Sequence, residues 1–287
     1  MNLLIFGANG RLAKEFVKLA TGEGFKVYAY TRQEVDITSP SKVESAFAKA
    51  NPDIVLNFAG YTNVDGAETR IGSLDSTLCN VYGPRIIASL CEDYSAKLCH
   101  ISTGFVFDGR LDFENSYDEN SQPNPINKYG KTKLMSEKVI QDQIKEYFII
   151  RTNWLFGSTN DFLSKAIEKG LAGQEVLAVD NQYGSFAYIK DLASFCLSII
   201  KTKNYGVYNY VNKNCATPYD FIKYAFDLMQ IKTKVTNTGF ESFPFVAERQ
   251  KNICLSLNKI IEAGVDIPTW QDSLKKFLEE NYIEKFN

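Results

Sequence analysis

Tyr129-Gly-Lys-Thr-Lys133 sets a phenol and an ammonium four residues apart, one turn along a single helix face. Free tyrosine titrates near ~10, too high for easy proton exchange at neutral pH. A neighbouring ammonium favours the phenolate and lowers that value. Such a tyrosine gives a proton to a carbonyl oxygen as hydride reaches the carbon, or takes one in reverse. Alone, the pair is an ordinary feature of a helix surface in a chain with 16 tyrosines. It gains meaning from Ser102-Thr103 at an expected strand end upstream, and from a glycine loop at the start of the chain.

That loop is Gly7-Ala-Asn-Gly10-Arg-Leu-Ala13, between an apolar burst over residues 2–6 and a helical pattern over residues 11–20. Gly7 permits a tight turn, Gly10 lets backbone approach a pyrophosphate, and Ala13 is small enough for the helix to pack on a sheet. The helix N-terminus adds donors and a positive dipole. Gly7, Asn9, Gly10, Arg11 and Leu12 are therefore expected to hold a dinucleotide. The second strand ends Tyr30-Thr31-Arg32, without the acid that binds a free ribose hydroxyl pair. Arg32 facing a 2′-phosphate points to NADPH, with NADH as the other possibility if Arg32 is only a surface charge. Asp36 and Ile37 open the next loop, where the adenine edge would sit.

These groups need a scaffold that brings residues 7, 103 and 129 together. Strand patterns at residues 2–6, 26–30, 53–57, 97–101 and 147–151 alternate with helical ones at 11–20, 40–50, roughly 75–93 and 129–145. That alternation predicts an α/β, Rossmann-type doubly wound parallel sheet covered on both faces. The polar loop over residues 109–127 belongs at the surface. Later come a helix at 161–169, a strand at 175–179, a helix near 190–201, a strand at 207–211 and helices near 218–229 and 269–280. Residues 1–155 are expected to form the NAD(P)-binding Rossmann domain. Residues 156–287 are expected to form mainly a smaller C-terminal substrate-binding lobe, with some segments returning to the main sheet.

Of 287 residues, 45% are hydrophobic and 23% charged, the composition of a soluble globular protein. A formal charge of -2 leaves no basic excess for nucleic acid. No apolar run reaches the ~18 residues of a membrane span, and MNLLIFGANG lacks the features of a signal peptide. The expected location is the cytoplasm. Cysteines at 79, 91, 99, 196, 215 and 254 form no CxxC pair, and His100 is the only histidine. No metal ligand set is visible, and free buried thiols are the expectation.

Residues Pro52-Asp-Ile-Val-Leu-Asn-Phe-Ala-Gly-Tyr-Thr-Asn-Val-Asp-Gly-Ala-Glu68 resemble the signature of the dTDP-4-dehydrorhamnose reductase family. Ser102-Thr-Gly-Phe-Val-Phe-Asp-Gly109, Tyr129-Gly-Lys-Thr-Lys133 and Arg151-Thr-Asn-Trp-Leu-Phe-Gly157 follow in the family's order and spacing. Fainter similarities continue through Asn181-Gln-Tyr-Gly184, Asp191-Leu-Ala193 and Arg249-Gln-Lys-Asn252. The resemblance implies that NAD(P)H delivers hydride to the C4 keto group of a nucleotide-linked 6-deoxysugar, in deoxysugar and surface polysaccharide biosynthesis. Tyr129 would be the general acid, Lys133 its tuner and a ribose ligand, and Thr103 the hydrogen-bond partner of the keto oxygen. Phe58, Ala59, Gly60, Tyr61 and Ser102 would line the cofactor. Thr62, Val64, Gly104, Trp154 and Arg249 would line the sugar pocket. A monomer or homodimer is implied, with a nucleotide sugar as the small-molecule partner.

The departures gather at the sugar and diphosphate end. The family's Asp after Ser-Thr is Gly104 here, which has no carboxylate to hold or relay a proton. The Pro-Thr after Gly-Ser becomes Phe186-Ala187, the Arg-Pro near the C-terminus becomes Arg249-Gln250, and an expected Ser is Ile253. A changed nucleotide sugar accounts for this, as does reduced catalysis. Two other readings share the sequence: a non-catalytic, cofactor-binding regulatory subunit, and a nucleotide-sugar epimerase or dehydratase on the same fold.

Overall fold

The structure, a computed structural model, describes residues 1–282. The first half runs β1 (Asn2–Phe6), α1 (Arg11–Gly22), β2 (Lys26–Tyr30), α2 (Pro40–Ala50), β3 (Ile54–Asn57), α3 (Arg70–Thr77), α4 (Gly83–Asp93), β4 (Lys97–Thr103), α5 (Lys128–Gln143) and β5 (Tyr147–Thr152). The second half runs β6 (Leu155–Phe156), α6 (Phe162–Leu171), β7 (Val176–Val179), β8 (Tyr183–Ser185), β9 (Ala187–Tyr188), α7 (Ile189–Ile199), β10 (Gly206–Asn209), β11 (Cys215–Ala216), α8 (Pro218–Leu228), β12 (Val235–Thr238), β13 (Asn252–Ile253), α9 (Asn258–Glu262) and α10 (Trp270–Asn281).

Six strands pair in the order β10-β5-β4-β3-β1-β2, all parallel. Alternation along β1 divides its side chains between two cores, as a strand buried on both faces requires. Leu3 and Ile5 join Leu12 and Phe16 of α1 and Leu192 and Cys196 of α7 on one face. Leu4 and Phe6 join Val43 and Phe47 of α2, Ile87 of α4 and Ile140 of α5 on the other. Adjacent β1 and β3 lead to opposite flanks of the sheet, so their C-terminal ends mark the crevice where such sheets bind ligands. A third core, with Phe156, Leu163, Phe186, Phe221, Trp270 and Phe277, belongs to the C-terminal lobe. It is served by α6, α8, α10 and the short pairs β7–β12 and β6–β9.

Several expectations shift. The helix begins at Arg70 because Thr69 Oγ1 accepts from Gly72 N at 3.0 Å. Its run to Asp93 passes through a π-helical turn at Leu78–Tyr82, just before Pro84 withdraws an N–H. β4 continues to Thr103, carried by pairing with β5. The polar 109–127 segment is not wholly a surface loop. Tyr117 is buried, stacked on Phe107 at 4.3 Å, and bridged to Leu255. Strands of two or three residues had no periodicity to read. Free thiols were expected throughout, but Cys215 and Cys254 are joined as a disulfide because β11 and β13 both flank β8. Cys79, Cys91, Cys99 and Cys196 are free.

Candidate active site

Gly7 ends β1 at φ +83°, a conformation glycine adopts without penalty. A Cβ there would lie 2.6 Å from Ala59 N, so only glycine lets the two loops meet. Gly7 N and Ala8 N both donate to Tyr30 O at 3.0 Å, and Gly10 N donates to Gly7 O at 2.8 Å. The turn thereby aims the first amides of α1 outward, with no carbonyl one turn back to take them. This cradle fits a dinucleotide pyrophosphate. Leu12 has only its backbone at this cradle, since its side chain is buried in the core. Asn9 is exposed beside it.

The side chains expected at the adenine edge are engaged by the protein itself. Ile37 is buried against Gly83, where an added Cβ would meet Ile37 Cδ1 at 2.6 Å. Asp36 turns back to accept from Thr38 N at 3.0 Å and Thr38 Oγ1 at 2.8 Å. Arg32 is 82% exposed, its Nε 3.5 Å from Asp36. Phe58 packs its ring edge-on against Phe16 of α1, which leaves its backbone rather than its ring toward the crevice. Ala59 N donates to Asn57 Oδ1 at 3.1 Å. Tyr61 is clamped by Asn80, which accepts from Tyr61 N at 2.8 Å and donates to Tyr61 O at 3.1 Å. Gly60 lies between them, 3.4 Å from Asn80 at its Cβ position.

Helix α5 presents Tyr129 and Lys133. Asn127 caps it, accepting from Gly130 N at 2.8 Å, and Glu68 accepts from Lys128 N at 2.7 Å. Gly130 brings the helix against the turn after β4, since a Cβ there would meet Phe105 O at 2.2 Å. Tyr129 thus faces Thr103 across the cavity wall they share, and its ring meets Phe105 edge-on at 5.7 Å. Burial pushes the phenol up to about 12, against the nearby Thr103 hydroxyl, which lowers it. The expected lowering by Lys133 is absent because the ammonium is turned elsewhere. Lys133 Nζ donates to Ile101 O at 2.6 Å and lies 3.3 Å from His100 Nε2. Burial brings Lys133 down to about 8, opposed by Cys79 and Glu137.

Ser102, expected at the cofactor, gives its hydroxyl to Glu137. That carboxylate also takes Arg151 Nε at 3.0 Å and Nη2 at 2.7 Å, in a buried pair tying α5 to β5. His100, which the sequence presented only as a lone histidine, sits between Asn57 at 3.1 Å and Ser136 at 2.8 Å. Burial first, and Lys133 second, hold it well below the usual histidine range. It is neutral.

Beyond Tyr129 and Thr103 opens a cavity of about 710 Å³ between the sheet's C-terminal edge and the lobe. Thr62, Val64, Thr103, Trp154 and Arg249 line it, and Arg11 reaches it from α1. Gly104 does not; Asn153 beside it does. Thr152 also lines it, and among the described residues its buried hydroxyl has no hydrogen-bond partner. Phe243, Phe245 and the lysines Lys165 and Lys169 of α6 were missed, because only the folded lobe brings them here. Among the described residues the lining holds Arg11, Lys165, Lys169 and Arg249 and no carboxylate. Arg249 is held by Asp65 at 2.6 Å. Burial works to raise Asp65, but the Ala247 amide, Arg249 and the Val246 amide keep it below the usual carboxylate range.

The model of the RmlD substrate binding domain matches residues 1–283. A dTDP-4-dehydrorhamnose reductase of Aggregatibacter actinomycetemcomitans is 31% identical over 95% of this chain and 97% of its own length. A crystal structure of a dTDP-4-dehydrorhamnose reductase from Clostridium acetobutylicum superposes with TM-score 0.93 at 33% identity, covering 98% of this chain and 99% of that one. One from Bacillus anthracis, in complex with NADP, gives 0.92 at 32%, covering 97% and 99%.

Proposed function

This chain belongs to the dTDP-4-dehydrorhamnose reductase family, and from that premise we propose that it reduces the C4 keto group of a nucleotide-linked 6-deoxysugar with NADPH. It is an oxidoreductase on a Rossmann-type sheet with a smaller C-terminal lobe. One observation carries the substrate reading: the Tyr129–Thr103 hydroxyl pair stands where the glycine cradle's crevice meets the large cavity.

A nicotinamide cofactor held by the Gly7–Gly10 cradle would supply hydride for the carbonyl carbon. Thr103 Oγ1 and Tyr129 Oη hold the keto oxygen between them, so developing charge meets donors already in place. Tyr129, still protonated at neutral pH, gives its proton to that oxygen. Lys133 keeps a positive charge beneath the site. Trp154, Phe105 and Phe243 form apolar walls that exclude water, while four lining cations, with no lining carboxylate among the described residues, suit a diphosphate. Arg32 favours the 2′-phosphate of NADPH, since the one carboxylate folded back to the end of β2, that of Glu34, is taken up by Thr31 N and Oγ1 at 2.8 Å each.

The same reading makes the protein a cytoplasmic monomer or homodimer. No helix among the described residues is long and apolar enough to cross a membrane. The Cys215–Cys254 pair is unusual for that compartment, where most such pairs are kept reduced. With Tyr129, Lys133 and Thr103 in place, no separate observation favours the regulatory or epimerase readings.

NADPH deuterated at C4, incubated with the dTDP-4-keto-6-deoxysugar, should place one deuteron on sugar C4, read by NMR of the product. With both C4 positions of NADPH deuterated, a product without deuterium at sugar C4 would overturn the assignment.

A further inference from the structure

We propose that Asn153 is a positioning residue of this site, its carboxamide occupying the space of a side chain at residue 104 and fixing the turn after Thr103 against the lobe. The inference rests on the reductase reading above.

The register of β4 and β5 pairs Thr103 with Thr152, which brings residues 104 and 153 abreast where the strands end. Asn153 Oδ1 accepts from Gly104 N at 3.0 Å, and its Nδ2 donates to Ile253 O at 2.6 Å. The two partners fix the orientation of the amide, because a flip would set donor on donor and oxygen on oxygen. Gly104 does not have positive φ, so conformational freedom is no reason for a glycine there. Space is. A Cβ on residue 104 would lie 2.6 Å from Asn153 Oδ1 and 2.7 Å from Nδ2. Residue 104 can therefore carry no side chain while Asn153 stands as it does.

The polar group that follows Thr103 is thus supplied from β5. It acts through its neighbour. Gly104 opens the one-turn helix Gly104–Val106, for which Thr103 is the cap, accepting from Phe105 N at 3.2 Å. The tether on Gly104 N sits one peptide from the hydroxyl that meets Tyr129. At its other end the same side chain holds Ile253 of β13, which pairs with β8 in the lobe. One buried carboxamide thereby sets the distance between catalytic hydroxyl and substrate lobe.

Asn153→Ala, Gly104→Ala and the double variant test this. Asn153→Ala should lower kcat by about 10- to 100-fold, the scale of a roughly 1 Å misplacement, with NADPH affinity unchanged and faster amide exchange at Gly104. Gly104→Ala should lower Tm and turnover when Asn153 is present, and cost little Tm when Asn153 is Ala. Wild-type kcat in Asn153→Ala, or the same loss of Tm from Gly104→Ala in both backgrounds, would overturn the proposal. If the wild-type protein fails to reduce the keto sugar at all, the substrate reading falls. Exchange at Gly104 and the Tm comparison still decide the role of Asn153.

Discussion

Lys133 Nζ lies 3.3 Å from Nε2 of His100, the chain's single histidine. Asn57 Oδ1 takes the Ala59 amide, so Asn57 Nδ2 donates to His100 Nδ1, and the imidazole proton sits on Nε2, facing Ser136 Oγ. One ring joins the cofactor loop after β3 to the helix of the catalytic pair. His100→Leu strands Asn57 Nδ2 at a cost of roughly 1–3 kcal/mol. It should lower both Tm and NADPH affinity, measured by thermal melting and cofactor titration. Unchanged cofactor affinity would reduce His100 to packing.

Tyr129→Phe should cut turnover by about 10²–10⁴, the worth of a positioned acid. Cofactor binding should change little, since the phenol is directed to Thr103. Near-normal turnover would remove Tyr129 from its role.

The pH dependence of reduction follows from two groups. Tyr129, near 12, stays protonated across the working range, whereas Lys133 loses its charge as pH rises through about 8. The kcat/KM for reduction, which reports the free enzyme, should be level below that value and fall above it. A rise above pH 8 would contradict the requirement for a charged Lys133.

Arg32→Ala should weaken NADPH more than NADH, tested by titrating both cofactors. Arg32 makes only a 3.5 Å contact with Asp36 and remains free to turn. Equal weakening would leave Arg32 a surface charge.

Glu137→Gln uncouples α5 from β5 by leaving Arg151 buried without its counter-charge. A loss of about 3–5 kcal/mol is expected, visible as a lowered denaturation midpoint. An unchanged midpoint would show that the pair contributes nothing.

The parts of the site that act through near neighbours were legible in the sequence. Gly7 to Gly10 form their cradle within one turn, and Tyr129 and Lys133 share a helix face whatever surrounds them. The direction of the Lys133 ammonium was not legible, because it depends on the Ile101 carbonyl from another element. Leu12, Ile37 and Phe58 lie on the cofactor loops, yet their side chains fill the two cores, a choice made by strand and helix facing. Asp65 and Arg249, 184 residues apart, meet only after the lobe folds over the sheet. Gly104 looked like a lost carboxylate because Asn153 becomes its neighbour only through the β4–β5 register.

The most direct measurement is NADPH oxidation, followed by its absorbance, with the dTDP-4-keto-6-deoxysugar and its UDP counterpart, for the wild-type chain and Tyr129→Phe. A wild-type rate with the dTDP sugar that collapses in Tyr129→Phe is the expected result. Cofactor binding with no oxidation of NADPH on either sugar would contradict the proposed function.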